Sequence, residues 1–260
     1  MPVELAFTAF GKGPPLIILH GLFGSKRNWA GIAKALSSHY HVFCLDLRNH
    51  GESPWADAMD YATMAADVHD FIKRHALAGA TVIGHSMGGK TAMALSLQHG
   101  ETLNALVVVD IAPVAHNGAD VRGYLEELLE VPLAAFRDRA EVEEHLSESI
   151  TDVGVRSFLM QNLVRSNERL LWRVNLAVIA DEMDNITGFM NTGHGRSYGG
   201  PTLFVAGGNS NYVQPRDHAV VGALFPKARI EIIAGAGHWL HAEKPGPFLD
   251  LLKNFLDEVG

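Results

Sequence analysis

The chain has 260 residues, 47% of them hydrophobic and 19% charged, and its 21 basic and 29 acidic residues give a formal net charge of −8. This composition is typical of a globular protein with a sizeable core and argues against extensive disorder. No cluster of Lys and Arg is present, so we expect no nucleic-acid partner. The single cysteine, Cys44, excludes an intramolecular disulfide and a cysteine-based zinc cluster, and its apolar neighbours predict a buried side chain.

The first residues, Met1–Gly13, lack the basic and apolar regions of a secretory signal. No apolar run along the chain is long enough to span a bilayer. We therefore expect a cytoplasmic protein without a stable membrane anchor. The sequence carries no sign of the oligomeric state.

Six short apolar runs have the composition of buried β-strands. Several are apolar almost throughout, as expected of parallel strands that are covered on both faces. The six runs are, in chain order, Pro15–Leu19, His41–Leu45, Thr81–Ile83, Ala105–Val109, Thr202–Ala206 and Arg229–Ile233.

Helical patterns lie between these predicted strands. They are Asn28–Leu36, Tyr61–His75, Lys90–His99, Pro215–Leu224 and Pro247–Val259. Alternation of strands and helices predicts right-handed β–α–β crossovers. The fold class is therefore α/β, with a doubly wound and mostly parallel sheet.

The alternation stops between about residues 113 and 199, where no β-branched run of strand length occurs. Apolar residues three and four apart predict helices there instead. The predicted helices are Val121–Glu130, Val142–Ile150, Val155–Leu163 and Leu170–Met183, followed by a loop at Asn191–Gly200. We thus predict a core in two parts, residues 1–112 and 200–260, separated by a helical cap of residues 113–199.

The segment after the third predicted strand matches two catalytic motifs. Gly84, Ser86 and Gly88 fit G-x-S-x-G, the nucleophile elbow, in which a sharp strand-to-helix turn exposes a serine. Gly84–Thr91 also fits G-x-x-x-x-G-K-T, the phosphate-binding loop of ATPases. Asp110 ends the next apolar strand, where such ATPases carry an Asp that organises magnesium.

Three features elsewhere favour the serine elbow. About eighty residues of predicted α/β structure precede it, whereas a phosphate-binding loop usually follows the first strand of its domain. The glycine-rich turn His20–Gly24 is placed to offer a backbone N–H to an oxyanion. His238 follows the last predicted strand, which gives the order serine, acid, histidine. In this interpretation Lys90 is a solvated residue of the first helical turn.

With these motifs in this order, the chain resembles the α/β-hydrolase superfamily over nearly its whole length. The matching segments are His20–Gly21, Asp46–Ser53, Gly84–Gly89 and Gly235–His238. The sequence Asp-Leu-Arg-Asn-His-Gly, at residues 46–51, is similar to that of small esterases and thioesterases acting on short or medium acyl groups. A serine nucleophile separates the chain from the dehalogenases and epoxide hydrolases of this fold, which use a carboxylate.

The triad acid departs from the commoner pattern of this superfamily. Most members carry it in a Gly-x-x-Asp turn after the penultimate strand, where this chain has Ser210. Asp110 ends the strand after the nucleophile helix, at the same edge of the predicted sheet, and some members place the acid there. We therefore predict Asp110 as the acid. The alternatives are Asp217 as the acid and a purely capping role for Asp110.

Acyl transfer needs a nucleophile, a base, an acid that orients the base, and oxyanion donors. We predict Ser86 as the nucleophile, His238 as the base, and the backbone N–H groups of Met87 and Leu22 as the donors, with Phe23 as the alternative to Leu22. His238 would move the serine proton to the leaving alcohol or thiol, and water would then release the acid. This cycle needs no cofactor, and no compact ligand spacing predicts a metal site.

The remaining polar residues at strand ends and turns are expected to be structural. His20 and His85 lie in glycine turns and should brace the backbone, and His241 should be structural or line the pocket. Asp46 should hold the Arg48–His50 loop. Four further histidines are expected on the solvated surface: His39, His69, His75 and His99.

The cap is expected to lie over Ser86 and to enclose a small-molecule acyl ester or acyl thioester rather than a bilayer lipid. Most apolar cap residues should pack in the core of the cap, but seven are candidates to face the pocket: Phe136, Phe158, Leu159, Leu163, Trp172, Leu176 and Phe189. The predicted function is a serine hydrolase of short- to medium-chain acyl esters or thioesters. The alternatives are a nucleotide-binding ATPase and a non-catalytic receptor that keeps the triad for ligand capture.

Overall fold

The computed structural model describes residues 1–190 and 196–260, and its centre is a seven-stranded sheet of order β1-β3-β2-β4-β5-β8-β9. The strands are β1 (Phe7–Phe10), β2 (Pro15–Leu19), β3 (His41–Leu45), β4 (Ala80–His85), β5 (Leu103–Val109), β8 (Thr202–Gly207) and β9 (Ala228–Ile233). The pair β1–β3 is antiparallel and the other neighbouring pairs are parallel. The predicted sheet class is thus confirmed.

All six predicted strands are present, with ends within about two residues of the prediction. The prediction missed β1, an edge strand of four residues whose first three are exposed. Such a strand has no continuous apolar run, and its backbone pairing with β3 defines it.

Helices cover both faces of the sheet. They are α1 (Ala30–Leu36), α2 (Tyr61–Arg74), α3 (Met87–His99), α9 (His218–Leu224), α10 (Leu240–Glu243) and α11 (Pro245–Val259). Alternate residues of β2 enter two different apolar clusters, because successive side chains of a strand point to opposite faces. Ile17 and Leu19 join the cluster with α2 and α3, whereas Leu16 and Ile18 join the cluster with α1 and α11.

Between β5 and β8 the chain forms five α-helices, a short 3-10 helix at Leu133–Ala135 and a hairpin among the described residues. The α-helices and the hairpin strands are α4 (Ala119–Glu130), α5 (Arg139–Ser147), α6 (Val153–Met160), β6 (Leu163–Ser166), β7 (Arg169–Trp172), α7 (Leu176–Asp181) and α8 (Met183–Thr187). The all-helical prediction is wrong at the hairpin. Asn167 and Glu168 both have positive φ, as the two central residues of a type I′ turn require. Asn-Glu is a weaker signal for this turn than Asn-Gly, which explains the error.

The predicted loop Asn191–Gly200 lies partly outside the described residues, which resume at Arg196. Residues 196–200 belong to no helix or strand. Within the described ranges, no helix combines the length and apolar character needed to cross a membrane.

The loop after β3 is held by Asp46, as predicted. One carboxylate oxygen accepts the Lys26 backbone N–H at 2.7 Å, and the other accepts the Lys26 ammonium at 2.6 Å and the Glu52 N–H at 2.9 Å. Gly51 has φ +57°, and a Cβ there would lie 2.2 Å from the same carboxylate. The loop therefore closes around a buried charge that leaves no space for a side chain at residue 51.

A buried ion pair ties this loop to α2. Arg48 is 2% exposed and Asp67 is 0% exposed, and the guanidinium donates two hydrogen bonds to the carboxylate, at 2.6 and 2.7 Å. Asp67 also accepts the backbone N–H of Val3 at 2.8 Å. Removing one partner would leave the other charge buried and unpaired, which destabilises a fold far more than losing an exposed pair.

We predict that Asp67→Ala lowers the free energy of unfolding by about 3–5 kcal/mol, since it leaves the Arg48 guanidinium buried without a charged partner. Asp70→Ala, on the same helix, is the matched control. Its pair with Arg74 is partly exposed, so it should change stability by less than about 1 kcal/mol. Urea unfolding followed by circular dichroism measures both changes, and similar small losses for the two variants would contradict the prediction.

Candidate active site

Ser86 lies in a strained turn between β4 and α3. Its φ of 51° and ψ of −116° are unusual for a residue with a side chain. A Cβ at Gly84 would lie 2.2 Å from the Gly88 carbonyl oxygen, and a Cβ at Gly88 would lie 2.5 Å from the carbonyl oxygens of Leu19 and His20. The motif glycines are therefore required by close backbone contacts, and the turn has the form of a nucleophile elbow.

Asp110 and His238 meet at the carboxyl edge of the sheet. Asp110 follows β5, is fully buried, and accepts a hydrogen bond from His238 Nδ1 at 2.7 Å. Its other carboxylate oxygen accepts the Gly207 N–H at 2.8 Å. With Nδ1 donating, His238 Nε2 is left as an acceptor, the tautomer that a general base needs. Tyr212 stacks on the imidazole, with ring centroids 4.1 Å apart.

Ser210 and Asp217 have different partners. The Ser210 hydroxyl donates to the Asp110 carboxylate, so the turn after β8 contacts Asp110 through a serine. Asp217 accepts the Gln214 N–H at 2.9 Å and caps a short 3-10 helix at Pro215–Asp217. Within the described residues Asp217 makes no bond to His238.

The turn Gly21–Gly24 lies against Ser86. A Cβ at Gly21 would be 3.4 Å from Ser86 Cβ, and the Gly24 N–H donates to the Gly21 carbonyl at 2.9 Å. The Phe23 N–H donates to His50 Nε2 at 3.2 Å. In the described residues the Leu22 N–H has no such bond, and the N–H of Met87 is one of the free donors of the first turn of α3.

His50 helps to hold the turn beside Ser86, a role that no sequence pattern predicted. It is fully buried, and burial, together with nearby His20, lowers its pKa to about 3. The neutral ring donates through Nδ1 to the Arg48 carbonyl at 3.0 Å and accepts through Nε2 from Phe23. The Asp-Leu-Arg-Asn-His-Gly motif contains this residue, but its partner lies 27 positions away in the chain.

His20 and His85 brace the backbone, as predicted. His20 bonds the Gly21 carbonyl through Nδ1 at 2.8 Å and accepts the Leu47 N–H at 3.0 Å, while His85 Nε2 donates to the His238 carbonyl at 2.9 Å. Burial lowers the pKa of both imidazoles. These rings stay neutral, so they hold the loops around Ser86 without adding charge.

Three of the other five histidines lie where the sequence predicted them, either against the cavity or on the surface. His241 stacks on the Trp29 ring at 4.1 Å and also lines the cavity, and its burial lowers the pKa to about 3. His39 and His75 are exposed. His69 and His99 are half-buried because their rings stack on each other at 3.7 Å, so the prediction of solvated side chains is wrong for this pair.

A cavity of about 260 Å³ lies above Ser86 and His238. The segment between β5 and β8, which we predicted as a cap, contributes mainly apolar side chains to its lining: Val121, Tyr124, Val155, Phe158 and Leu159. Two of the seven predicted candidates, Phe158 and Leu159, are therefore correctly placed. The other five pack in the large apolar cluster and do not line this cavity: Phe136, Leu163, Trp172, Leu176 and Phe189.

The prediction of a solvated Lys90 is wrong. Its side chain is 1% exposed, and the ammonium donates to the carbonyl oxygens of Thr187, at 3.0 Å, and of Gly188, at the end of α8. Burial lowers its pKa to about 7. The cap covers a helical turn that would otherwise be solvated. Lys90 therefore binds the cap, which removes the phosphate contact that the ATPase alternative needs.

Cys44 is buried, as predicted, and burial raises the pKa of its thiol to about 12. In the two described ranges, no group of three or more His, Cys, Asp or Glu side chains is arranged to hold a metal ion.

Comparisons with known proteins agree with this geometry. A family model described as alpha/beta hydrolase fold matches residues 14–245. The chain is 40% identical over 250 residues to a mouse (Mus musculus) protein named sn-1-specific diacylglycerol lipase ABHD11, covering 94% of this chain and 81% of the relative. It is 36% identical over 247 residues to Esterase YbfF of Escherichia coli K12, covering 94% and 93%.

A solved structure of a marine microorganism esterase superposes with a TM-score of 0.95 at 38% identity, covering 97% of this chain and 99% of that one. Both the family model and these relatives extend over the sheet and the cap. The chain therefore belongs to the α/β-hydrolase family.

Proposed function

We propose that this protein is a serine hydrolase that cleaves short- to medium-chain acyl esters, or thioesters, through an acyl-enzyme on Ser86. The observation that carries the proposal is the 2.7 Å hydrogen bond between Asp110 and His238, beside an apolar cavity that both His238 and Ser86 line. The names of the relatives, an esterase at 36% and a lipase at 40% identity, support ester hydrolysis as the reaction.

Acylation begins when the Ser86 hydroxyl attacks the ester carbonyl carbon and His238 Nε2 accepts the serine proton. Asp110 holds Nδ1 and stabilises the imidazolium that forms. The N–H groups of Leu22 and Met87 bind the oxyanion, since the Phe23 N–H is engaged by His50. The imidazolium then gives its proton to the leaving alcohol or thiol, and the carbon–heteroatom bond breaks.

Deacylation repeats these steps with water. His238 removes a proton from water as it attacks the acyl-enzyme carbonyl, and the same N–H groups bind the second oxyanion. Collapse returns the proton to Ser86 and releases the carboxylic acid. Every proton passes through His238, so the buried neutral histidines around it are left to hold the backbone.

The cap, residues 113–199, is proposed to shape the substrate site. Side chains from α4 and α6 close the cavity over Ser86, which suits a small ester with an apolar portion. The name of the mouse relative makes a diacylglycerol a further candidate to include in a substrate screen. Esters are proposed before thioesters because the names of the relatives describe an esterase and a lipase.

We predict that Ser86→Ala lowers the turnover of p-nitrophenyl butyrate by at least about a thousandfold, because it removes the nucleophile. Release of p-nitrophenol measures the rate. Ser147→Ala is the matched control, since that serine lies exposed in the cap and should leave the rate unchanged. A folded Ser86→Ala protein with wild-type turnover would contradict the mechanism. Labelling of Ser86 by a fluorophosphonate without multiple turnover of any ester would favour the receptor alternative.

We predict that Asp110→Asn lowers kcat about 10³- to 10⁴-fold, because the amide no longer orients His238 or stabilises its charged form. Asp217→Asn is the control, since Asp217 caps a local helix and should affect kcat less than about threefold. Steady-state kinetics of both folded variants decide the assignment, and a larger loss for Asp217→Asn would overturn it.

A further inference from the structure

A second, smaller cavity adjoins Ser86. It has a volume of about 50 Å³, and its lining includes Leu22, Ser86, Met87, Lys90 and His116. Both cavities contact Ser86, but His238 lines only the larger of the two.

The proposed reaction determines which part of a substrate enters each cavity. His238 must reach the leaving group to protonate it, so the alcohol or thiol lies in the larger cavity that His238 lines. The acyl group extends the other way, past the two residues whose N–H groups hold the oxyanion. Its end therefore enters the smaller cavity, whose volume admits only a few non-hydrogen atoms.

Lys90, a buried amine whose charged form has no carboxylate partner, contributes to the lining of this small cavity. Its ammonium has two neutral carbonyl oxygens as hydrogen-bond partners and lies 5.6 Å from the centre of the Tyr61 ring. No carboxylate of the described residues is within ion-pair distance. A buried cation is normally paired with an anion, because removal from water destabilises the charged form.

His116 also lines this cavity and has a ring nitrogen without a partner. Its Nε2 is buried and has no hydrogen-bond partner in the described part of the chain. Burial, assisted by the charge of Lys90, lowers the pKa of this imidazole to about 4, so the ring is neutral and one of its two nitrogens carries a proton. Buried polar atoms without a partner are rare in folded proteins and call for an explanation.

Resting on the serine-hydrolase function, we propose that Lys90 and His116 bind a carboxylate at the far end of the acyl group. The preferred substrates are then half-esters, or half-thioesters, of short dicarboxylic acids with an apolar alcohol or thiol. The carboxylate supplies the counter-charge that Lys90 lacks and an acceptor for His116 Nε2. The small cavity limits the acyl chain, and the larger apolar cavity accepts the leaving group.

The test compares two esters with the same leaving group and acyl groups of similar shape. Hexyl hydrogen succinate carries the terminal carboxylate. Hexyl 4-methylpentanoate has an uncharged isopropyl group of similar shape in its place. Because charge-assisted hydrogen bonds discriminate strongly, the wild-type enzyme should have a kcat/KM at least about tenfold higher for the succinate ester. Chromatography of the released hexanol measures both rates.

Two variants assign this preference to the proposed residues. Lys90→Met should lower the succinate-to-methylpentanoate ratio of kcat/KM by at least about tenfold, and His116→Phe by about threefold or more. His116→Phe keeps the Lys90 bonds to the cap, so it tests the inference even where Lys90→Met does not fold. Lys73→Met is the matched control, since this lysine is exposed on α2 and should leave the ratio unchanged.

Two results would overturn the inference. One is a wild-type enzyme that does not prefer the succinate ester. The other is an equal fall in kcat/KM for both esters in Lys90→Met, together with an unchanged succinate-to-methylpentanoate ratio in His116→Phe. Lys90 would then have the single role of holding the cap. Failure of the proposed function looks different, because neither ester would then be hydrolysed, whether or not a fluorophosphonate labels Ser86.

Discussion

The backbone strain at Ser86 is the constraint on which the site depends. A serine with positive φ persists only where its surroundings leave no alternative, and here Gly84 and Gly88 bring β4, α3 and the end of β2 into direct backbone contact. A side chain at either glycine would separate these elements. The same contacts bring the Gly21–Gly24 turn against the serine. Strain at one residue is thus maintained by the packing of the central sheet.

Buried neutral histidines hold the loops around Ser86 in place. His20, His50 and His85 each bond a backbone group of a loop at the carboxyl edge of the sheet. A neutral imidazole has a donor on one nitrogen and an acceptor on the other, on opposite sides of a rigid ring, so it can join two loops, which an ammonium with donors alone could not do in this way. Burial keeps the pKa of each ring low and thereby keeps it neutral. His238 differs because its partner is the carboxylate of Asp110.

Hydrogen bonds join the segment between β5 and β8 to α2, to α3 and to the turn after β2. Lys90 and Tyr61 both donate to carbonyl oxygens near the end of α8, and Asn162 donates to the carbonyl of Phe23 at 2.7 Å. The covering of Ser86 is therefore coupled to the core by hydrogen bonds as well as by apolar packing. This arrangement places the buried Lys90 side chain in the lining of a cavity that also contacts Ser86.

The parallel sheet and the candidates Ser86, Asp110 and His238 could be predicted from sequence patterns. A strand that is covered on both faces has a continuous apolar sequence. Motif residues at the ends of such strands lie close together because parallel strands end at the same edge of the sheet. Tertiary structure alone decided what depends on distant partners. The partner of Lys90 is 97 residues away, that of His50 is 27 away, and β1 exists through its pairing with β3. Local periodicity contains no information about such contacts, because the burial of a polar side chain depends on segments that are distant in the sequence.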